Sequence, residues 1–332
     1  MENVLISGGA GFIGSHLTRE ILAKTNLRPI VLDDLSGGFK DNIPVGVKFI
    51  NGSINDINLV NSLFNEYNFK YVYHLAAYAA EGLSHFIRRF NYNNNLIGSI
   101  NLINESVNHG VECFIFTSSI AVYGEGQVPM SEIQTPQPED PYGIAKYAVE
   151  LDLKNAMSMF GLKSVVFRPH NVYGEYQNIG DKYRNVVGIF MNKILQGKPL
   201  TIFGDGNQQR AFSYVGDIVG AIASSAWLSE THGQVFNIGA DNPYTVNELA
   251  NEVMNILERP NHPVIYASAR NEVKIAYSDH SKVKSFFPNL PVTTLSMGIR
   301  KMAQWVVSTG SRETKYFNDI EIPKNLPSIW TR

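Results

Sequence analysis

The sequence predicts an α/β protein with a doubly wound parallel sheet and a smaller cap that is rich in loops. Over the first half of the chain, short apolar runs alternate with segments long enough for helices. Such alternation favours parallel strands joined by right-handed crossovers. The runs are apolar at nearly every position, which is typical of strands covered by helices on both faces. From about Asn171 onward the pattern loosens into loops rich in Gly, Asn and Pro, so a smaller unit is expected there.

Six apolar runs account for the expected sheet. In chain order they are "NVLIS", "PIVLDD", "VKFING", "YVYHLAA", "CFIFTSS" and "KSVVFRP". The segments between them are long enough to cross over the sheet as helices. Two later segments, "VVGIFMNKILQG" and "TVNELANEVMNIL", have helical patterns and are assigned to the cap.

Length and composition indicate an ordinary globular protein. Its 332 residues are 44% hydrophobic, enough for a substantial core in one large or two closely associated domains. The 28 basic and 30 acidic residues give a net charge of −2 without a basic block, so we expect neither nucleic acid nor a membrane as partner. The single cysteine, Cys113, lies in an apolar run and is interpreted as a buried structural thiol. The first strand begins at once and no apolar run reaches spanning length, so a cytoplasmic location is expected.

A glycine-rich turn follows the first strand and opens the first predicted helix. Gly8, Gly11 and Gly14 in "ISGGAGFIG" would allow a tight turn and a close approach of a diphosphate to the helix N-terminus. A merely tight strand-to-helix turn is the other interpretation. Asp33 favours the first, because it ends the second strand about 20 residues after the turn, where an acid binds the adenosine ribose of a dinucleotide. An acid there repels a 2′-phosphate, so the sequence predicts NAD rather than NADP, with Asp34 as a weaker candidate contact.

A tyrosine and a lysine form the candidate catalytic pair. Tyr142 and Lys146 in "PYGIAK" are four residues apart, so on a helix they face the same way. An ammonium near a phenol favours the phenolate, which makes tyrosine a base at neutral pH. An exposed helix pair is the alternative. Ser118 and Ser119 weigh against it, because they end the fifth strand and ligands of a doubly wound sheet lie beyond the carboxyl ends of its strands.

Nine motifs in order resemble the extended short-chain dehydrogenase/reductases, specifically the NAD-dependent group of nucleotide-sugar epimerases and dehydratases. They are "GGAGFIG", "VLDDLS", "HLAA", "NLIGSINLI", "SSIAVYG", "PYGIAK", "RPHNVYG", "IFGDGNQQRAFSYVGD" and "FNIG". The resemblance implies a Rossmann-like NAD-binding domain over residues 1–170, joined by about 211–239, and a nucleotide-sugar-binding cap over 171–210 and 240–332. It also implies a homodimer, a nucleotide-diphosphate sugar as substrate and no metal.

The resemblance also assigns roles to individual residues. It implies Ser119, Tyr142 and Lys146 as the catalytic residues. It implies cofactor contacts at Gly8, Gly11, Phe12, Ile13, Gly14, Asp33, Asp34, Ser53, Ile54, Leu75, Ala76, Ala77, Asn95, Ser118, Tyr142 and Lys146. It implies substrate contacts at Ser119, Tyr142, Asn171, Arg210 and Arg270. A guanidinium matches the oxygens of a diphosphate, and a surface ion pair is the alternative for both arginines.

The residues after Ser119 separate the reactions of this group, whose members share an initial oxidation at C4 of the sugar. Its dehydratases carry an Asp–Glu pair there and its decarboxylases usually a glutamate, whereas this chain has Ile120 and Ala121. The resemblance therefore implies a 4-epimerase, of a UDP-hexose in the first instance, in which a 4-ketose turns and takes the hydride back on its other face. The alternatives are an NAD-dependent 4-dehydrogenase or 4-reductase, and a non-catalytic NAD-sensing protein.

A few residues depart from the family or lack a clear role. His170 is expected to be a hydrogen-bonded loop histidine, and Asp217 a helix cap or a loop brace. The segment "YAAEGLSHFIRR" is unusual for the family and is expected to lie over the sugar, with Glu81, Ser84 and His85 as candidates for substrate choice. The tail "EIPKNLPSIWTR" has no assignment.

Overall fold

The computed structural model describes residues 1–269, 273–314, 316–327 and 330. In chain order its strands are β1 (Asn3–Ser7), β2 (Arg28–Asp33), β3 (Lys48–Asn51), β4 (Tyr71–His74), β5 (Cys113–Thr117), β6 (Ser164–Pro169), β7 (Val172–Tyr173), β8 (Leu200–Phe203), β9 (Gln209–Ala211), β10 (Ser213–Tyr214), β11 (Val235–Ile238), β12 (Pro243–Thr245), β13 (Val264–Ala267) and β14 (Ile275–Ala276). The six strands expected from the apolar runs are β1 to β6.

One large parallel sheet forms the centre of the molecule. Within the described residues its strand order is β11-β6-β5-β4-β1-β2-β3. The chain builds outward from β1 through β2 and β3, and then continues on the other side of β1 from β4. The order therefore reverses between β1 and β4, where ligands of doubly wound sheets bind beyond the strand ends. The prediction of such a sheet is confirmed.

Helices cover both faces of this sheet. In chain order the helices are α1 (Phe12–Lys24), α2 (Ile57–Tyr67), α3 (Glu81–Ser84), α4 (Arg88–Tyr92), α5 (Gly98–Asn108), α6 (Pro141–Phe160), α7 (Val186–Leu195), α8 (Val219–Ser224), α9 (Val246–Ile256), α10 (Ser281–Phe286) and α11 (Leu295–Thr309). Successive residues of β1 point to opposite faces: Ile6 shares a buried core with Leu17 of α1, and Leu5 shares another with Val149 of α6. None of the described helices is both long and apolar enough to span a membrane.

The rest of the described chain forms three small sheets and the helices beside them. Strand β7 pairs with β10, β8 with β13, and β9 lies between β12 and β14. Buried residues of α7, α9 and α11, such as Phe190, Leu249 and Ile299, belong to the same core as one face of the large sheet. The cap is therefore continuous with that core.

The end of the chain runs back over α3 and α4. The carboxylate of Glu321 accepts hydrogen bonds from the backbone N–H groups of Arg89 and Phe90 at 2.8 and 2.9 Å, at the N-terminus of α4. Trp330 is 6% exposed and lies in a small core with α3 and the residues that flank it. This contact gives the tail, which the sequence left unassigned, a place beside the segment expected to lie over the sugar.

Candidate active site

The turn after β1 is shaped by glycines that have no room for a side chain. Gly8 has a φ of +77°, and a Cβ there would lie 2.6 Å from the backbone nitrogen of Ala76. A Cβ on Gly14 would lie 2.2 Å from the carbonyl oxygen of Gly8. Contacts this short with backbone atoms would force the chain to shift, so both positions require glycine.

The N-terminus of α1 is left open by its sequence. Its N-cap residue, Gly11, makes no side-chain cap bond, and the first turn carries no acidic residue. The first N–H groups of a helix have no partner within it and stand at the positive end of its dipole. A diphosphate would supply both the acceptors and the negative charge, so this turn fits the predicted dinucleotide.

Asp33 ends β2 beside the same turn. Its carboxylate accepts hydrogen bonds from the backbone N–H of Ala10 at 3.0 Å and of Leu35 at 2.8 Å. Burial raises the pKa of this carboxyl, and the two backbone hydrogen bonds oppose that shift. Each oxygen keeps acceptor capacity for a ribose diol, so the acid expected at the end of the second strand is oriented for that contact.

The N-terminus of α6 brings Tyr142 against Ser119. Asp140 caps the helix by accepting a hydrogen bond from the N–H of Gly143 at 2.9 Å. A Cβ on Gly143 would lie 2.5 Å from the carbonyl oxygen of Ala121, so this glycine allows the helix to approach the turn that follows Ser119. The Ser119 side chain lies close enough to Tyr142 to lower the pKa of its hydroxyl. The glycine of "PYGIAK" therefore has a direct role in assembling the site.

Burial controls the charge of Tyr142 and Lys146. Tyr142 is buried, which raises the pKa of its hydroxyl, while the nearby Ser119 side chain opposes that shift. Lys146 donates a hydrogen bond to the carbonyl oxygen of Thr117 at 2.8 Å, and burial lowers the pKa of its ammonium to about 7. Its Nζ lies 5.8 Å from the centre of the Tyr142 ring. Lys146 is thus balanced between ammonium and amine near neutral pH, whereas the spacing alone suggests a fully charged lysine.

A buried network holds the end of β5. The hydroxyl of Ser118 donates a hydrogen bond to the carboxylate of Glu150 at 2.5 Å, and Nε of Arg168 donates to the same carboxylate at 3.0 Å. Arg168 also donates to the hydroxyl of Tyr123 at 2.7 Å. The side chains of the ion pair are each 5% exposed. Because Ser118 follows β5, Arg168 lies in β6 and Glu150 lies in α6, these bonds join the three elements. Losing one partner of the ion pair would leave an unpaired buried charge, which is unfavourable.

Most residues with an expected role line one cavity of about 390 Å³ at the carboxyl edge of the sheet, which we call the cofactor cavity. They are Gly8, Gly11, Phe12, Ile13, Gly14, Asp33, Asp34, Ser53, Ile54, Leu75, Ala76, Ala77, Ser118, Ser119, Tyr142, Lys146 and Asn171. The glycine turn, the acid at the end of β2 and the Ser–Tyr–Lys group therefore belong to one site.

Two of the expected contacts that the structure describes lie elsewhere. Asn95 is buried outside the cavity lining, where its side chain bonds the backbone of Tyr78 and so positions that residue, which does line the cavity. Arg210 lines a neighbouring cavity of about 930 Å³, the cap cavity. Its guanidinium donates to the carbonyl oxygens of Gln209 at 2.8 Å and Lys274 at 3.1 Å. Arg270 lies outside the described residues.

Sequence reasoning missed the contribution of the 174–185 loop, which joins β7 to α7. Gln177, Asn178, Tyr183, Arg184 and Asn185 all line the cofactor cavity. No motif or spacing rule marks these residues. The available signal was the loop itself, since irregular connections of this length in a compact domain usually serve a function.

The residues without a clear role have defined partners. His170 is buried, with Nδ1 3.0 Å from the carbonyl oxygen of Ala211 and Nε2 3.1 Å from Nε2 of His280, as expected for a hydrogen-bonded histidine. Asp217 accepts two hydrogen bonds of 2.7 Å from Thr293 and so braces a loop.

The candidates in the 81–85 segment divide between two positions. Ser84 is buried, and its hydroxyl accepts a hydrogen bond from the N–H of Tyr142 at 3.3 Å. It therefore supports the N-terminus of α6. Glu81 and His85 line the cap cavity. Cys113 is buried, which raises the pKa of its thiol to about 12, as expected for a structural cysteine.

A doubly wound sheet that carries a glycine turn, an acid at the end of β2 and clustered Ser, Tyr and Lys side chains at its carboxyl edge defines a dinucleotide-dependent enzyme. More specifically, the chain belongs to the NAD dependent epimerase/dehydratase family, whose model matches residues 4–239. Its cofactor is NAD, as the acid at the end of β2 predicts.

Known proteins resemble this chain over nearly its whole length. The UDP-glucose 4-epimerase of Thermotoga maritima, solved with UDP-glucose, is 35% identical and superposes with a TM-score of 0.87 over 92% of this chain and 99% of its own. The UDP-glucose 4-epimerase of Thermus thermophilus, solved with NAD, is 31% identical, with a TM-score of 0.85 over 91% and 98%. The dTDP-D-glucose 4,6-dehydratase of Mus musculus is 30% identical over 92% of this chain and 88% of its own. Other relatives are named as decarboxylases, so membership of the family leaves the reaction open.

Proposed function

We propose that this protein is a nucleotide-sugar 4-epimerase that acts on a UDP-hexose. The observation that carries the proposal is the composition of the site around Ser119. Ser119 lies close enough to Tyr142 to lower the pKa of its hydroxyl, and Nζ of Lys146 lies 5.8 Å from the centre of the Tyr142 ring, but the two residues after Ser119 are Ile120 and Ala121. Elimination of a sugar hydroxyl needs a second acid and base at this place, and neither side chain titrates. Oxidation at C4 followed by reduction needs only the Ser–Tyr–Lys group and a dinucleotide.

Each of the three side chains has a role that its surroundings support. Tyr142 would remove the proton of the C4 hydroxyl and return it after the sugar has turned. Ser119 would hydrogen-bond the same sugar oxygen and keep it against the phenol. Lys146, whose pKa is about 7, would stabilise the phenolate as an ammonium and can give up its own proton near neutral pH. NAD, when bound, supplies the acceptor for the C4 hydride and its donor on return.

The cap cavity is the proposed place of the nucleotide. Asn171, Tyr183 and Arg184 line both cavities, so the sugar would lie where the two meet and the diphosphate would extend toward Arg210. The solved relatives that bind UDP-glucose and UDP-glucuronic acid support a UDP-sugar. The larger volume of the cap cavity is consistent with a sugar that must turn between the two hydride transfers.

The test is to incubate the purified protein, without added cofactor, with UDP-, GDP- and dTDP-hexoses. Proton NMR follows the configuration at C4, and absorbance follows NADH. Interconversion of C4 epimers without net NADH is the expected result and also identifies the nucleotide. Stoichiometric NADH with a lasting 4-keto product would instead make the protein a 4-dehydrogenase.

A further inference from the structure

Hydrogen bonds connect the 174–185 loop to the glycine turn and to the segment that follows β2. The side-chain amide of Asn42 donates to the carbonyl oxygens of Ala10 at 3.0 Å and Tyr176 at 3.1 Å, and so joins the turn to the loop. The side-chain amide of Asn178 donates to the carbonyl oxygen of Gly37 at 3.4 Å. These bonds attach the loop to the glycine turn and to the segment that follows β2.

Arg184 is the cation of this loop that faces the cavity. The carboxylate of Asp181 accepts a hydrogen bond from Nε of Arg184 at 2.8 Å, and the same oxygen lies 2.7 Å from Nη2. The guanidinium also lies 4.8 Å from the centre of the Tyr78 ring. A guanidinium has five N–H donors, and Asp181 engages two of its three nitrogens. Among the described residues Nη1 has no hydrogen bond, so this edge of the group is available to a ligand.

The guanidinium lies near the point where a diphosphate is expected. A Cβ on Gly37 would be 3.1 Å from Nη2 of Arg184. The next residue, Gly38, is packed on the turn itself, since a Cβ there would lie 2.5 Å from the carbonyl oxygen of Ala10 and 2.8 Å from the nitrogen of Gly11. The adjacent residues Gly37 and Gly38 therefore place the guanidinium near the N-terminus of α1 in the same cavity, and both groups favour an anion.

A second residue of the loop indicates that a polar ligand fills this space. Gln177 is 1% exposed and lines the cofactor cavity. Neither its side-chain oxygen nor its side-chain nitrogen has a hydrogen-bond partner within the described chain. A buried amide without partners is unfavourable by itself. Its partner would come from the molecule that occupies the cavity.

We propose that Arg184 binds the diphosphate of NAD from the cap side, near the N-terminus of α1, and thereby retains the cofactor. Asp181 holds the guanidinium in place and Tyr78 supports its face, so little side-chain freedom is lost when the anion binds. Because the loop belongs to the cap segment of the chain, this contact ties the cap to the cofactor.

The same guanidinium also lines the cap cavity, so an anion of the substrate is the competing ligand. The experiment distinguishes the diphosphate of the cofactor from that of the substrate by using ligands that carry only one of the two. ADP-ribose carries the diphosphate of the cofactor but no nicotinamide, whereas UDP carries the diphosphate of the substrate. Affinities for NAD, ADP-ribose and UDP are measured by calorimetry, together with the NAD that stays bound after long dialysis.

The variants are Arg184→Gln, Arg184→Lys and the control Lys182→Gln. Lys182 belongs to the same loop but lines only the cap cavity. In Arg184→Gln the affinities for NAD and ADP-ribose should fall together by about 10- to 100-fold, the range for a hydrogen bond to a charged group. Arg184→Lys, which keeps the cation beside Asp181 and should fold even if Gln does not, should weaken both ligands by a smaller factor. Lys182→Gln should retain NAD like the wild type.

Two results would overturn the proposal. Unchanged affinity for ADP-ribose in both Arg184 variants would show that the guanidinium does not bind the diphosphate of the cofactor. Loss of UDP affinity with ADP-ribose affinity unaffected would assign the guanidinium to the substrate. None of these measurements requires turnover, so the outcome is independent of whether the protein proves to be a 4-epimerase.

Discussion

The cofactor cavity and the cap cavity share Asn171 and Arg184, yet they are built in different ways. Backbone shapes the first, since a Cβ at Gly8 or Gly14 would collide with main-chain atoms. Long side chains from distant segments line the second, among them Lys193, Glu313 and Trp330. A surface made of backbone changes little with sequence, whereas a surface made of side chains changes with each substitution. If the cap cavity binds the nucleotide as proposed, the difference predicts that the backbone of the fold determines the cofactor and that side chains of the cap cavity determine the substrate.

The largest expected effect comes from a variant that should abolish catalysis in the cofactor cavity without changing cofactor binding. Tyr142→Phe removes the proposed base and should lower kcat by about 10³-fold, within the range for general acid–base catalysis. Bound NAD per chain should be unchanged, because the glycine turn holds the cofactor. Both are measured on the same preparation, by turnover and by release of NAD on denaturation. Wild-type turnover would exclude tyrosine from the mechanism.

The second prediction tests the role of the backbone directly. Gly14→Ala should cost about 1–3 kcal/mol through overpacking against Gly8 and weaken NAD at least tenfold. The control is Gly220→Ala in α8, where the new Cβ would lie 3.4 Å from the carboxylate of Glu20 and nothing closer. That variant should bind NAD normally. Thermal melts measure the stability of both variants, and titration measures their affinity for NAD. Equal losses of NAD affinity in the two variants would contradict the prediction that backbone contacts fix the turn.

The third prediction concerns the cap cavity. Trp330→Ala should weaken UDP binding to the NAD-loaded protein by about tenfold, or about 1.4 kcal/mol, because a wall of that cavity is lost. NAD affinity should change less than about twofold by the same measure. Trp227 is 41% exposed and lines neither cavity, so Trp227→Ala is the matched control. If NAD is lost together with UDP, the two cavities do not function separately.

The fourth prediction is a gain in stability. Burial lowers the pKa of Lys146 from 10.5 to about 7. Between those values the unfolded chain binds more protons than the folded one, so the lysine makes the wild type less stable as pH falls from 10.5 toward 7. Lys146→Met should therefore abolish activity but raise the free energy of unfolding by about 1–2 kcal/mol at pH 7. Urea melts should show this advantage shrinking as pH rises toward 10. An advantage independent of pH would argue against a buried cation.

Residues that act through local geometry could be predicted from the sequence. The glycine turn, Asp33 and the Tyr142–Lys146 spacing each follow a rule about turns, strand ends or helix faces, and each lies in the cofactor cavity. Even so, the function of Gly143 emerged only from the structure, since its close approach to Ala121 depends on two segments that are distant in sequence.

The remainder depends on contacts between remote segments. Arg184 faces the cofactor cavity because the 174–185 loop is attached to the glycine turn, and Trp330 lines the cap cavity because the tail returns across α3. The charge of Lys146 depends on its burial, which spacing does not reveal. No single stretch of sequence contains these relations, and so neither the state of the lysine nor the walls of the substrate site could be predicted.

The course of the chain through the cap bears on how enzymes of this shape diversify. Strand β8 lies before β11 in sequence and its partner β13 lies after it, while β11 itself belongs to the large sheet. The segments expected to form the cap are therefore interleaved with the central sheet and are not inserted at a single point of the chain. A single recombination event between two related genes would split the β8–β13 pair from one parent and join mismatched halves. New substrate preferences should therefore arise in such a lineage by substitutions within the cap, one residue at a time, and an engineer who grafts caps needs several junctions at once.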